Sequence, residues 1–305
     1  MLLKFAAKDF LDDREFKNVS PTTLDRYTRI LAEFQDFCAK DEIVNVEDVS
    51  ANIVKKYLTD CHKRGNKSTT VNTKLRGLKA FFNYMVECEV ITEKRNPTTK
   101  IGYAKEEVKI EVFTDYHIQQ MLGYYRRLKS RDKSFFAYRD YTIIVFLLGT
   151  GVRLGELCNL KWNDVNLVHD VLTVFGKKRE QSSIPITEKL KKELAEYKIF
   201  CEQWFGTQSE YVFTDADNRQ LTPNAVKCVF KRLKEIMNFK DVRLSAHTFR
   251  HTFAHRMLMA GCDVFTLQKM LRHSSIEMTQ KYLSLWGIAL KEQNEKFNPL
   301  NNLDI

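Results

Sequence analysis

The stretch HTFRHTFAHRM, residues 247 to 257, contains two overlapping patterns that predict different sites. His247, His251 and His255 recur every four residues, which on a helix aligns them along one face, as in some metal sites. His247 and Arg250, at i and i+3, instead direct two hydrogen-bond donors towards one anionic oxygen. A hydrolytic zinc site normally needs a fourth group and a carboxylate base, as in HExxH, but threonine follows the first histidine here. The sequence therefore favours the anion-binding pair, which requires no metal and no cofactor.

Length and composition predict a globular protein. The 305 residues are sufficient for two domains, and the hydrophobic content is 44%. The longest strongly apolar run, residues 142 to 148, is far shorter than the roughly 20 residues that cross a bilayer. The seven cysteines are dispersed without a CxxC pair, which suits a reducing cytosol. We therefore expect a soluble, unexported, cytoplasmic protein.

Positive charge is concentrated in one part of the chain. The formal net charge is +10 and the pI is near 9.1, which favours a polyanionic partner. Residues 1 to 50 contain 7 Lys or Arg against 11 Asp or Glu, whereas residues 51 to 100 contain 11 against 4. The local excess predicts a binding face, the alternative being a solubilising surface.

The basic segment contains an amphipathic helix, KSTTVNTKLRGLKAFFNYM, with Ser68 as its expected N-cap. Its apolar residues recur at steps of three and four and predict a buried stripe: Val71, Leu75, Leu78, Phe82 and Met85. The opposite face has side chains of the types that contact bases and phosphates, and these are the predicted DNA-binding residues: Thr69, Asn72, Arg76 and Lys79. A merely solvated polar face is the alternative. Together with a helix that begins at Ser20 and Pro21, this segment predicts an all-helical bundle over residues 1–95.

A charge-dense stretch with Pro97 and Gly102 predicts a linker at residues 96–112, followed by a second domain at residues 113–305. Thr114 is a capping start for the first helix of that domain. Most of the domain has helical periodicity. The exception is NLVHDVLTVFGKKREQSSIPI, residues 166 to 186, which predicts short antiparallel strands around a turn. The predicted fold class is mainly α, with a helical N-terminal bundle and a mixed α/β C-terminal domain that contains a small antiparallel sheet.

Further charged and hydroxyl side chains flank the HTFR motif in a fixed order. Arg153 follows two glycines in GTGVRLGEL, and Lys177 comes 24 residues later in FGKKREQ. Beyond HTFR, His273 precedes Tyr282 by nine residues in HSSIEMTQKY. This ordered set resembles that of the tyrosine recombinases, the phage-integrase type of site-specific recombinase. The likeness extends over nearly all of the chain, with the N-terminal bundle similar to the core-binding domain of that family.

The chemistry of proton transfer fits three of these residues. A tyrosine hydroxyl has a pKa of about 10, so Tyr282 requires a proton acceptor before it attacks phosphorus. His247 is the predicted acceptor or relay. The leaving 5' oxygen needs a proton, and Lys177 is protonated at neutral pH and able to give one. Lys178 is the alternative donor, because the turn contains two adjacent lysines.

The remaining residues of the set suit the phosphate itself. Negative charge spreads over the non-bridging oxygens in the transition state, and the guanidinium groups of Arg153 and Arg250 would offset it. His273 would donate one more hydrogen bond. Arg272 stands where many relatives have glycine, and it adds a positive charge beside His273.

The resemblance implies a function as well as a fold. In that family, DNA is cleaved through a 3'-phosphotyrosyl intermediate, strands are exchanged through a Holliday junction, and four protomers assemble on two specific core sites in double-stranded DNA. The C-terminal tail would pack into a neighbouring protomer through four anchors, or else on its own domain: Trp286, Ile288, Leu290 and Phe297. We expect a nucleoid-associated recombinase that integrates, excises or resolves a mobile element, with accessory proteins as further partners. The alternatives are a non-catalytic DNA-binding protein and a type IB topoisomerase-like relaxing enzyme.

Overall fold

The apolar stripe predicted in the basic segment lies at the centre of a helical bundle. The computed structural model describes residues 1–106, 110–175, 181–282, 294–295 and 298. In it the stripe belongs to α4 (Ser68–Glu87), which begins after Lys67 at the N-cap, so the predicted cap at Ser68 is wrong by one residue. The helices that pack around α4 are α1 (Leu3–Phe16), α2 (Pro21–Ala39) and α3 (Ala51–Lys63). Ser20 and Pro21 begin α2, as predicted.

Aromatic side chains fill the core of this bundle. Phe34 of α2 and Phe82 of α4 are fully buried and meet edge to face, with ring centroids 6.2 Å apart. Phe10 of α1 contacts Phe81 in the same way at 5.8 Å. Such pairs add to the free energy gained from apolar burial. These aromatic contacts hold α4 in the core of the bundle.

The chain after α4 folds back onto the bundle. Ile101 is buried in the same core. Asn72 Nδ2 donates to the Ala104 carbonyl, and the Ala104 amide donates to Asn72 Oδ1, each over 2.8 Å. Part of the stretch expected to be a linker is therefore packed on the bundle. The domain limits of 1–95 and 113–305 stay a prediction.

The second part of the chain is built around one apolar helix. Thr114 caps α5 (Asp115–Asp132), as predicted, and its hydroxyl accepts a hydrogen bond from the amide of His117. The apolar run then lies in α6 (Phe135–Thr150). Because α6 is apolar on nearly all sides, it packs against α5, α8 (Glu188–Phe205) and α10 (Ala246–Met259). The shorter helices are α7 (Leu154–Asn159), α9 (Pro223–Met237), α11 (Val264–Leu271) and α12 (Glu277–Gln280).

A small antiparallel sheet interrupts these helices, as predicted. Within the described residues its strand order is β1 (Val165–Asn166), β2 (Val171–Phe175), β3 (Gln181–Pro185). The stretch 166 to 186 was predicted to form strands around one turn, but Val168 within it lies outside the strands and is 82% exposed, so it was wrongly included. Asn166 Oδ1 accepts hydrogen bonds from the amides of Val168 and His169, which turns the chain before β2 begins.

The chain divides into two compact units, Met1–Val108 and Lys109–Ile305. The first is helical, and the second combines helices with the small sheet, so the predicted fold class is confirmed. Across the part of the chain that the structure describes, no helix has the length and apolar character needed to span a bilayer.

Candidate active site

Arg250 lies on α10 and is 6% exposed. Its Nη1 donates to the Gly151 carbonyl over 2.6 Å, and its Nη2 donates to the Leu271 carbonyl. Burial, together with the nearby charges of Arg153 and Arg272, lowers the pKa of this guanidinium to about 10. Arg250 therefore stays cationic at neutral pH and is fixed in place by two main-chain acceptors.

Arg153, which follows the two glycines noted in the sequence, occupies the N-cap of α7. Its Nη1 donates to Glu156 Oε1 over 2.9 Å, and its amide donates to Glu156 Oε2 over 2.7 Å. Its Nη2 donates to the Arg272 carbonyl over 2.9 Å. Burial by itself would raise the pKa of Glu156, but the bond from the Arg153 amide and the charge of Arg272 bring it below its usual value. Glu156 is therefore an anion that organises this corner of the site.

Tyr282 is 3% exposed and lies beside two histidines. Its hydroxyl is 2.8 Å from His251 Nδ1, and its ring is parallel to that of His273, with centroids 6.5 Å apart. Burial raises the pKa of the hydroxyl above its ordinary value, against a smaller opposite effect of Arg250. A nucleophile in this position is protonated at neutral pH and needs a base.

Both histidines beside Tyr282 are neutral at pH 7. Burial lowers the pKa of His251, and the neighbouring His247 and Arg250 act in the same direction. Burial and, to a smaller extent, the charges of the arginines of the site lower the pKa of His273 to about 4. With its proton on Nε2, neutral His251 presents the lone pair of Nδ1 to the tyrosine hydroxyl.

His273 has a second contact that fixes its ring. Its Nδ1 is 2.7 Å from the hydroxyl of Thr279, a fully buried residue. If the hydroxyl donates to Nδ1, the proton of the neutral ring is on Nε2, and that nitrogen is a donor. This orientation suits the hydrogen bond to phosphate that the sequence predicts for His273.

His247 faces a different environment from His251. The two rings are 6.2 Å apart, but His247 is exposed and borders a cleft of about 600 Å³ with four basic residues in its lining: Lys227, Lys231, Lys234 and Arg243. We refer to it as the basic cleft. Among the described contacts, the hydroxyl of Tyr282 therefore meets His251, to which the sequence analysis gave no catalytic role. The four-residue spacing from His247 was the signal that placed it on the same face.

Two sets of predicted residues lie outside the described residues. Lys177 and Lys178 fall between Phe175, the end of β2, and Gln181, the start of β3. The tail anchors Trp286, Ile288, Leu290 and Phe297 fall after Tyr282. Within the described chain, no group of three or more His, Cys, Asp or Glu side chains is arranged to hold a metal ion.

The predicted DNA-binding residues of α4 separate into two groups. Thr69 and Arg76 are exposed, and Lys79 is half-buried. The Arg76 guanidinium and the Lys79 ammonium lie 5.4 and 4.8 Å from the ring centroid of Tyr103. Asn72 is 2% exposed, so its predicted position on the outer face is wrong. Its amide is occupied by the chain that folds back after α4, in the paired bonds described above.

Comparison with known proteins extends over both units. Residues 111–286 match the model of the Phage integrase family, and residues 8–88 match that of the Phage integrase, N-terminal SAM-like domain. Tyrosine recombinase XerC of Anoxybacillus flavithermus is 27% identical over 270 residues, covering 87% of this chain and 88% of that protein.

Two solved structures share the fold. XerH site-specific recombinase bound to palindromic difH substrate has a TM-score of 0.75 at 17% identity, covering 90% of this chain and 80% of that one. The Tn1549 transposon integrase in complex with a circular intermediate DNA has a TM-score of 0.74 at 21% identity, covering 91% and 94%. The Phage integrase family match includes more than half of this chain. The chain therefore belongs to the phage integrase family, the tyrosine recombinases, and is an enzyme of site-specific recombination that cleaves and rejoins DNA.

Proposed function

We propose that Tyr282 attacks the scissile phosphate of a specific DNA site and becomes joined to the 3' end of the broken strand. The tyrosine oxygen forms a bond to phosphorus as the bond from phosphorus to the 5' oxygen breaks. The observation that carries the proposal is the placement of the Tyr282 hydroxyl on a neutral histidine, beside the fixed cation Arg250. The second 5' hydroxyl then reverses the step without an external energy source, because the phosphotyrosyl ester keeps the energy of the phosphodiester.

Proton transfer requires an acceptor at the tyrosine and a donor at the leaving group. His251 is the acceptor in the arrangement described here, since its Nδ1 is 2.8 Å from the hydroxyl. His247, the acceptor favoured by the sequence, is one helical turn away and would serve as a relay towards the basic cleft. Lys177 protonates the 5' oxygen, with Lys178 as the alternative donor.

Charge on the phosphate is offset by the two arginines of the set. Arg153 and Arg250 together present guanidinium groups whose orientation is fixed by main-chain carbonyls. Preorganised donors of this kind cost no reorganisation at the moment of reaction. His273 adds its Nε2 hydrogen, with its ring fixed by Thr279.

The DNA itself is bound by surfaces on both units. In the N-terminal unit, Thr69, Arg76 and Lys79 remain candidates for contacts in a groove, and Asn72 is withdrawn. In the catalytic unit, the basic cleft beside His247 suits the phosphate backbone.

The wider biology follows the family. We propose a tetramer on two core sites, joined through the C-terminal tail, that exchanges strands through a Holliday junction. A role in integrating, excising or resolving a mobile element is favoured by the likeness to a transposon integrase. A cytoplasmic, nucleoid-associated location and a need for accessory proteins belong to the same proposal.

The test is a trapped covalent adduct. The full chain is mixed, in EDTA, with nicked DNA fragments from its own genomic neighbourhood, and the products are separated on a denaturing gel. We expect an adduct that disappears in Tyr282→Phe, while specific DNA binding is retained within about twofold, because that change removes only the hydroxyl. Cleavage retained in Tyr282→Phe would reject the nucleophile. Site-specific binding with no adduct in the unsubstituted protein would favour a non-catalytic DNA-binding role.

A further inference from the structure

Arg272 has a backbone conformation that arginine rarely adopts. It is the C-cap of α11, with φ of 54° and ψ of 49°, in the left-handed region. Glycine is the usual residue there because it has no Cβ to clash with the following carbonyl. Arginine at this position therefore carries a conformational cost.

That side chain is turned into the protein. It is 9% exposed, and its Nη2 donates to Glu156 Oε2 over 2.7 Å. Its Nη1 donates to the Met270 carbonyl over 2.8 Å. Its Nε is buried without a hydrogen-bond partner among the described residues. Burying a guanidinium this deeply costs free energy unless its charge is paired and hydrogen-bonded.

Glu156 is shared between two arginines. One oxygen accepts from the Arg153 guanidinium, and the other accepts from the Arg272 guanidinium and the Arg153 amide. If Glu156 were paired with Arg153 alone, the carboxylate would cancel a charge needed for phosphate. The formal charge of Arg153, Arg250, Arg272 and Glu156 is 3 − 1 = +2, and without Arg272 it is 2 − 1 = +1.

We propose that Arg272 is a positioning residue that keeps Arg153 available to the scissile phosphate. Its side chain compensates the charge of Glu156, and its carbonyl accepts from Arg153 Nη2, which fixes the orientation of that guanidinium. Arg272 acts through these two neighbours. The inference rests on the proposed phosphoryl transfer at Tyr282 and adds to it a residue that offsets the buried carboxylate.

The first test compares a charged with an uncharged scissile group. Arg272→Gly suits the left-handed backbone and removes the guanidinium, so it should fold. Single-turnover cleavage is measured on nicked DNA with either a normal phosphate or a methylphosphonate, which lacks the negative charge. We expect Arg272→Gly to slow cleavage of the phosphate by about tenfold to a hundredfold, and that of the methylphosphonate by no more than about threefold. Lys269→Ala, which removes an exposed charge from the same helix, should leave both rates unchanged.

A second variant tests the role of Glu156. Adding Glu156→Gln to Arg272→Gly restores the net charge to +2, and the glutamine oxygen still accepts a bond from the Arg153 amide. We expect the double variant to cleave phosphate at least about tenfold faster than Arg272→Gly alone.

Different outcomes separate the inference from the function on which it rests. Equal loss on both substrates, or no recovery in the double variant, would assign Arg272 a purely structural role and overturn the inference. An unchanged rate in Arg272→Gly would overturn it as well. In all these cases the unsubstituted protein still forms its Tyr282 adduct. Absence of that adduct on the phosphate substrate would instead reject the proposed function, and the role of Arg272 with it.

Discussion

Tyr282 must lose a proton before its oxygen attacks phosphorus, and burial makes that loss harder. The pKa of the hydroxyl is raised by burial, so spontaneous ionisation at neutral pH is rarer than for a free tyrosine. The pKa of His251 is lowered, so this neighbour is unprotonated at the same pH and its Nδ1 can accept. The two opposite shifts keep the tyrosine protonated and the histidine neutral at pH 7. The pair therefore enters the reaction as a proton donor and a proton acceptor.

We expect His251→Ala to reduce single-turnover cleavage by about a hundredfold or more, the usual contribution of a general base. The rate of the unsubstituted protein should rise with pH through the His251 pKa, which lies below 6.5, and should level off near neutrality. In His251→Ala the rise should move to alkaline pH, where the tyrosine itself ionises. A pH series of adduct formation measures both effects.

His255→Ala is the matched control. His255 lies one turn further along α10, and burial and the charge of Arg256 lower its pKa. This variant should keep the rate and the pH profile. If His251→Ala also keeps both, the acceptor role returns to His247.

The identity of this pair could be only half predicted from the sequence. Spacing placed His247, His251 and His255 on one face of a helix, and that face is observed. Which histidine meets Tyr282 depends on how the chain after α11 returns to α10, a tertiary feature that local periodicity does not encode. The compensation of Glu156 by Arg272 was hidden for the same reason, because the two residues are 116 positions apart.

At the scale of elements, the turn between α6 and α7 supports the site through its backbone. Gly151 has φ of +59°, and a Cβ there would lie 2.5 Å from Phe253 Cδ1. Its carbonyl also accepts the 2.6 Å bond from Arg250. The glycine is therefore required both by the turn and by the close approach of α10.

We expect Gly151→Ala to lower the free energy of unfolding by about 2–4 kcal/mol, from the strained φ and the clash with Phe253 together. Gly155→Ala is the control, because Gly155 lies in α7 with nothing within 4 Å of an added Cβ. There alanine should be neutral or stabilising by up to about 1 kcal/mol. Urea unfolding measures both, and equal stability of the two variants would contradict the prediction.

Element boundaries were easiest to predict where local chemistry determines them. Thr114 begins α5 with a side-chain cap and Pro21 begins α2 with its fixed φ, and both starts are observed. Asn72 could not be placed correctly, since its burial depends on a segment more than 30 residues later in the chain. Helical angle alone put it on the polar face, at the edge of the apolar stripe.

For the whole molecule, the net charge of +10 predicts binding that weakens with salt, but the sum does not identify the contacts. Helix α4 presents two cations close together, because the side chains of Arg76 and Lys79 both lie over the ring of Tyr103. The aromatic ring holds the two side chains on the same side of the helix. This arrangement suits two phosphates of one DNA strand, and it can be tested separately from cleavage.

We expect Arg76→Ala and Lys79→Ala each to reduce the slope of log affinity against log salt by about one, the effect of losing one phosphate contact. Lys40→Ala, which removes an exposed lysine at the C-cap of α2, should leave the slope unchanged. Asn72→Ala should also keep the slope, but should cost about 1–3 kcal/mol of stability, because it breaks bonds that anchor the returning chain. Titrations of labelled DNA at several salt concentrations give the slopes. If Arg76→Ala and Lys40→Ala had the same slope as the unsubstituted chain, the face of α4 would be a solvated surface, and the contacts would have to come from elsewhere on the protein.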